Sequence, residues 1–283
     1  MKRTVLQSRL DRVYETFDKS YLSSDPLLLV RQFNKPQDQE IAAVMMSALA
    51  FGQVGQILRA GRLAFSLMGE SPFHFVQFLQ PEQELRRWEQ FYYRMVRSSD
   101  LLRLLYSLQH ILKRYPSLGA WVKGHYRSED DYLIETWSRC TKEIRAIDSK
   151  QWKWTKSPGR GFSHLLPDPQ KQSASKRAHL LLRWMVRKDS VDLGLWNDLP
   201  AEKLMMPIDT HVGRLAYNIG LTNRTDLHKK TSLEVTEALK RLDPRDPVKY
   251  DFALCRLGIL SFCPRKRDRV KCRACPIVEI CRL

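Results

Sequence analysis

The chain has 283 residues, enough as one or two domains to bury a core without covalent staples. Lys and Arg number 48 against 31 Asp and Glu, a net charge of +17 that points to a polyanionic partner, nucleic acid or an anionic membrane surface. The start, MKRTVLQSRLDRVYE, has no apolar run after its charges, so no secretory signal is expected, and no stretch of about eighteen uncharged apolar residues exists to span a bilayer.

Taken in chain order, the sequence predicts helices and no sheet. PQDQEIAAVMMSALAFGQVGQILRAGRLAFSLMG (36–69) has apolar residues at helical spacing from Ile41 to Leu49 and restarts after Gly52. DLLRLLYSLQHILKRY (100–115) is a second amphipathic helix, stopped by Pro116. Residues 145–172, rich in Pro, Gly, Lys and Trp, read as a loop or insertion whose Trp152, Trp154 and Phe162 either stack on a base or anchor the loop. SKRAHLLLRWMVRKD (175–189) is strongly apolar on one side, and THVGRLAYNIG (210–220) ends at a stop glycine. Asp209 sits where an N-cap belongs. TSLEVTEALKRLD opens on a Thr231-x-x-Glu234 capping box, and DPVKYDFALCRLGIL opens on Asp246 and Pro247 as cap and first turn.

Four of the six cysteines fall in the last twenty-one residues, as Cys263-x8-Cys272-x2-Cys275-x5-Cys281. In a reducing cytoplasm clustered cysteines are more often ligands than disulfides. A structural zinc site usually pairs two short knuckles, and here there is one, flanked by single cysteines. Four thiolates in one irregular loop suit a cubane iron–sulfur (4Fe-4S) cluster; zinc is the alternative. Arg265, Lys266, Arg267, Arg269, Lys271 and Arg273 would offset the cluster's negative charge. Cys140 and Cys255 read as ordinary buried thiols.

This cysteine loop resembles the one that closes the iron–sulfur branch of the helix-hairpin-helix DNA glycosylases, the endonuclease III and adenine glycosylase relatives, with two extra residues in its first gap. MMPIDTHVGRLAYNIGL resembles their Val-Asp-Thr-His-Val segment, matched by Asp209, Thr210, His211, Val212, Arg214 and Leu221. In that family the Asp is the catalytic carboxylate, and an anion at a helix start suits the oxocarbenium-like state of glycosidic cleavage. IAAVMMSALAFGQ resembles the family's early helix and probe loop; its Gln position holds Leu49, and Gln53 could serve instead.

The family's glycine-rich hairpin is replaced by LLPDPQKQSASKRAHLLLRWMVR, where Ser173 and Ser175 would present N–H groups to a phosphate, with Arg177 beside them. Lys176 falls at the nucleophile's place, 33 residues before Asp209, a longer spacing like that of archaeal oxoguanine glycosylases; Lys171 is the reserve. The resemblance implies an all-α, two-lobed glycosylase fold ending in the cluster loop, with one helical domain at 36–208 and a second lobe from 1–35 and 209–283. It implies a base-excision repair enzyme, a DNA glycosylase with AP lyase activity, that flips a damaged base from double-stranded DNA. Lys176 would be desolvated, partly neutral and nucleophilic, and Asp209 the stabilising carboxylate. A cytoplasmic, nucleoid-associated monomer is expected. The rival reading is an inactive nucleic-acid-binding protein stabilised by a cluster or zinc; a zinc-ribbon partner of RNA is a more distant third.

Overall fold

The computed structural model describes residues 3–155, 160–169, 171, 173–260, 263–264 and 266–283. It is all-α apart from one two-stranded hairpin, Tyr92–Tyr93 paired antiparallel with Val96–Arg97. The helices run α1 (Arg3–Thr16), α2 (Leu27–Val30), α3 (Pro36–Leu49), α4 (Val54–Met68), α5 (Pro72–Gln77), α6 (Pro81–Arg87), α7 (Ser98–Leu112) and α8 (Leu118–His125). They continue as α9 (Leu133–Gln151), α10 (Arg160–Leu165), α11 (Lys176–Val186), α12 (Thr210–Asn218), α13 (Lys229–Lys240), α14 (Asp251–Ile259) and α15 (Arg269–Arg273). Among the described residues no helix is long and apolar enough to cross a membrane.

The predicted break at Gly52 is a real turn. Its φ of +92° is open to glycine and strained for other residues, so α3 ends and α4 restarts there. Ile41 to Leu49 is buried along its whole length, which makes α3 a central helix rather than a one-sided one. It packs against α2, α4, α5, α8 and α11. A second group forms where α14 packs against both α12 and α1. The site described below lies where α11, from the first group, meets α12, from the second.

Local readings at several helix starts give way to tertiary partners. The helix expected to open at Thr231 starts at Lys229, capped by His228, because the Thr231 hydroxyl is taken by Asp226 and Glu234 accepts from Thr222. The helix expected to open at Asp246 starts at Asp251; Asp246 is drawn off to accept from Arg187 Nε at 2.7 Å. The 145–172 stretch is less irregular than its composition implies, since α9 runs through Gln151 and α10 forms within it. Trp152 and Phe162 are buried and anchor the insertion, while Trp154 meets Trp152 edge-on at 5.4 Å and stays exposed.

A buried charge network ties the two groups together. Arg183 Nε donates to Asp192 at 3.1 Å, Arg187 Nη1 to the same carboxylate at 2.9 Å, and Tyr14 from α1 to Asp189 at 3.0 Å. Such networks add little net stability over an apolar core, but removing one partner strands a buried charge. They hold the geometry.

Candidate active site

Helix α11 begins in a constrained way. Ser173 bridges to His228 and the Ala174 N–H donates to Leu227 O at 3.2 Å, which fixes the chain just before the helix. Ser175 then takes a left-handed conformation, φ +44° and ψ 36°. That conformation costs a non-glycine residue on the order of 1 kcal/mol and persists only where neighbours impose it. The turn that glycine serves in the resembling hairpins is made here by a serine, and Lys176 follows it as the first helical residue.

Asp209 caps α12 as its position in the sequence predicts. One carboxylate oxygen, Oδ1, accepts from the N–H groups of His211 and Val212, both at 2.9 Å. The other, Oδ2, lies 2.8 Å from Lys176 Nζ. The capping role and the contact with lysine thus use different oxygens of one carboxylate.

The electrostatics correct one expectation. Lys176 was expected to be partly neutral through desolvation. Burial does oppose its charge, but the Asp209 carboxylate beside it outweighs that, and its pKa lies above the ordinary lysine value. Burial likewise opposes ionisation of Asp209, and the Lys176 ammonium overrides it, so the carboxyl stays below its usual range. The resting site is an ion pair, and the amine is freed only by giving up its proton.

The pair lines a cavity of about 800 Å³, within the roughly 300–1,000 Å³ span of small-molecule sites. Exposed Gln53, the cap of α4, and Phe51 stand on one side of it. Phe51 is packed edge-on against His164 at 4.3 Å. Asp251 and Cys255 of α14 line it as well. The first is buried and ion-paired with Arg183, with its carboxyl pushed up to about 6 by burial. The second is partly exposed, with its thiol pushed up to about 12 by burial and the Asp209 charge. His211, also at the cavity, has no hydrogen-bond partner for Nδ1.

Other predicted residues line the same cavity in different roles or lie off it. Arg177 does not present its guanidinium to a phosphate; it donates to Ala48 O at 2.7 Å and His164 O at 2.5 Å and lies over the Phe51 ring. Ser175 lines the cavity with its hydroxyl turned toward Pro169 and Ser173, while Ser173 is exposed. Lys171, the reserve nucleophile, is exposed and does not line the cavity that holds Asp209. Lys266, Arg267 and Lys271 are exposed on the C-terminal loop, and Arg265 lies outside the described residues.

The four clustered cysteines are all free thiols. Burial pushes the Cys263 and Cys275 thiols up; Cys263 also feels the charge of Cys272 and Cys281, and Cys275 that of the other three cysteines. The donor set is all-sulfur, the chemistry that thiolate-held metals use. Among the described residues no three or more His, Cys, Asp or Glu side chains are gathered to hold a single metal ion. The loop is fastened to the Asp209 helix: Arg214 donates to Cys263 O at 3.2 Å, and Arg282 N–H to Asn218 O at 2.7 Å.

Asp251 is a cavity residue without an assignment from the sequence pattern, and Cys255, which reads as an ordinary buried thiol, lies on the same wall. The signal was available, as a carboxylate on the apolar face of a helix, one turn before a cysteine. With this geometry in hand, comparison with known proteins gives a family: the one described as a protein of unknown function, DUF2400, matches residues 25–260, and the chain belongs to it. No curated protein and no solved structure matches the chain.

Proposed function

We propose that this member of the DUF2400 family is a bifunctional DNA repair glycosylase, with Lys176 as nucleophile and Asp209 as its base and electrostatic partner. The observation that carries the reading is the 2.8 Å contact of Lys176 Nζ with Asp209 Oδ2, made at two helix starts on the wall of one cavity. Sequence resemblance named these two residues separately, 33 positions apart. A net charge of +17 supports a polyanionic partner, and phosphate contacts of this kind bind without reading sequence.

The chemistry follows from the pair. A damaged nucleotide leaves the stack for the cavity, because its C1′ is out of reach inside the duplex. Lys176 passes one proton through Asp209 Oδ2 to water, which leaves Asp209 ionised again, and the free amine bonds to C1′ as the C1′–N bond breaks. The base leaves with the bonding electrons and takes a proton from water. Asp209, when ionised, stabilises the cationic sugar through the transition state. Opening of the sugar ring, with a proton to O4′ and one lost from nitrogen, leaves a Schiff base. Loss of a C2′ proton then expels the 3′ phosphate and cuts the strand.

Cys263, Cys272, Cys275 and Cys281 would hold an iron–sulfur cluster, or zinc in its stead, whose contribution is an anchor and not a redox step. Its loop, joined to α12 through Arg214 and Arg282, would set the exposed Lys266, Arg267 and Lys271 against the DNA backbone.

The test is base release from duplexes carrying oxoguanine, thymine glycol, uracil or an abasic site. Release from at least one, with strand cleavage, is expected. Tight binding without release or cleavage on every duplex would instead make the chain a nucleic-acid-binding protein.

A further inference from the structure

The cavity contains a second carboxylate that the proposed chemistry leaves unused. Asp251 is the first residue of α14, is 2 % exposed, and lies on the cavity wall. It is pinned by Arg183 Nη1 from α11. Lys176 and Arg183 are seven residues, two helical turns, apart, so both project from one face of α11. Asp251, Cys255 and Ile259, at spacings of four, line the cavity from one face of α14. The stripe that begins with Lys176 and ends at Arg183 therefore faces the stripe that begins with Asp251.

We infer that Asp251 is a positioning residue of this site, a buried second carboxylate that sets the pH at which Lys176 releases its proton. The inference rests on Lys176 as the proposed nucleophile, but concerns only its ionisation. The charged and titratable groups around Lys176 are few. Asp209 and His211 face it from α12, and Asp251, Cys255 and Arg256 line the cavity from α14. Arg177 and Arg183 come from its own helix, with Arg177 turned to backbone carbonyls and Arg183 shared between Asp192 and Asp251. Beyond these, Asp25 lies across Arg256 and His164 beside Phe51. Asp209 acts on Lys176 by direct contact, whereas Asp251 acts through its charge, fixed in a low-dielectric wall where charges are felt further.

Fixing that charge has a function. A flipped nucleotide brings phosphates and excludes water, and Asp209 must relay the lysine proton and be anionic again in the transition state. A second, fixed carboxylate keeps the ammonium charged in the resting site even as Asp209 engages the substrate.

The test reads Lys176 directly and needs no turnover. Native protein and Asp251→Asn are acetylated with a limiting anhydride pulse across pH, and the Lys176 and Lys171 peptides are quantified by mass spectrometry, exposed Lys171 serving as reference. For Asp251→Asn the Lys176 midpoint is expected to fall by about one unit, roughly tenfold more free amine at fixed pH, with Lys171 unmoved. Asp251→Glu should restore the native midpoint. Because Asn alone strands the Arg183 charge, the paired variant Asp251→Asn with Arg183→Gln is measured too and should shift the same way. An unchanged Lys176 midpoint in a folded single or paired variant overturns the inference. A shifted midpoint in protein that never forms a Schiff base with an abasic duplex leaves the inference standing and removes the nucleophile role proposed above.

Discussion

Lys176 Nζ and Asp209 Oδ2 lie 2.8 Å apart, joining the first residue of one helix to the cap of another. A single carboxylate closes a helix end with one oxygen and holds the lysine with the other. The two tasks can be separated by substitution. Asn keeps a capping oxygen at 209, so Asp209→Asn should melt close to native while base release slows by about 10²–10³, the usual effect of losing one preorganised electrostatic group. Melting by calorimetry and single-turnover base release read the two separately; equal base release in native protein and variant would contradict the role.

The ion pair also predicts a pH window. The folded state holds the Lys176 proton to higher pH than the unfolded chain, so its stabilisation is present below the ordinary lysine value of 10.5 and lost as pH rises through the higher folded value. The Asp209 contribution has the opposite sense: it is present above the ordinary aspartate value of 3.8 and lost as pH falls through the depressed folded one. The stability gap between native protein and Asp209→Asn should be widest between those limits and close toward both extremes. A gap independent of pH would show that the pair does not form in solution.

The cysteine loop gives a prediction readable by eye. Protein purified without oxygen should be yellow-brown, with about four irons per chain and absorption near ~400 nm. Ser at Cys272 should bleach it and loosen the loop. Colourless protein with stoichiometric zinc would keep the anchor and change its metal.

Charge on that loop should appear in the salt dependence of DNA binding. Each contacted phosphate contributes a log–log slope of about −0.9, so replacing Lys266, Arg267 and Lys271 with Ala should flatten the slope by up to about three such steps. An unchanged slope moves the DNA surface elsewhere.

Packing around the site predicts one distal effect. A Cβ added at Gly258 would meet His211 Cβ at 2.6 Å, between α14 and α12. Gly258→Ala should therefore cost about 1–3 kcal/mol of stability by overpacking. It should also slow base release by shifting the helix that Asp209 caps. Native stability in the variant would mean the two helices separate easily.

Much of this was legible in the sequence where the signal is local. The spacing of Ile41 to Leu49, the stop at Gly52 and the cap at Asp209 each depend on nearby residues, and each appears as read. What misled was long-range competition. Asp246 is a good cap by pattern, but Arg187, 59 residues away, takes its carboxylate. Arg177 reads as a DNA ligand beside Lys176, yet it donates to a carbonyl 129 residues distant. The charge state of Lys176 was misread for the same reason: burial is visible in an apolar helix pattern, whereas the partner that overrides burial becomes visible only when α11 and α12 meet. Asp251 carries no capping signal of its own, because Asp246 and Pro247 supply the cap and first turn of that pattern five residues earlier.

The most direct measurement is borohydride reduction of the protein with an abasic-site duplex, followed by peptide mapping of the covalent product. The proposed chemistry predicts one adduct, on the peptide carrying Lys176, lost in Lys176→Gln and kept in Lys171→Gln, because only a primary amine forms the imine. An adduct on Lys171, or an undiminished yield from Lys176→Gln, would contradict it.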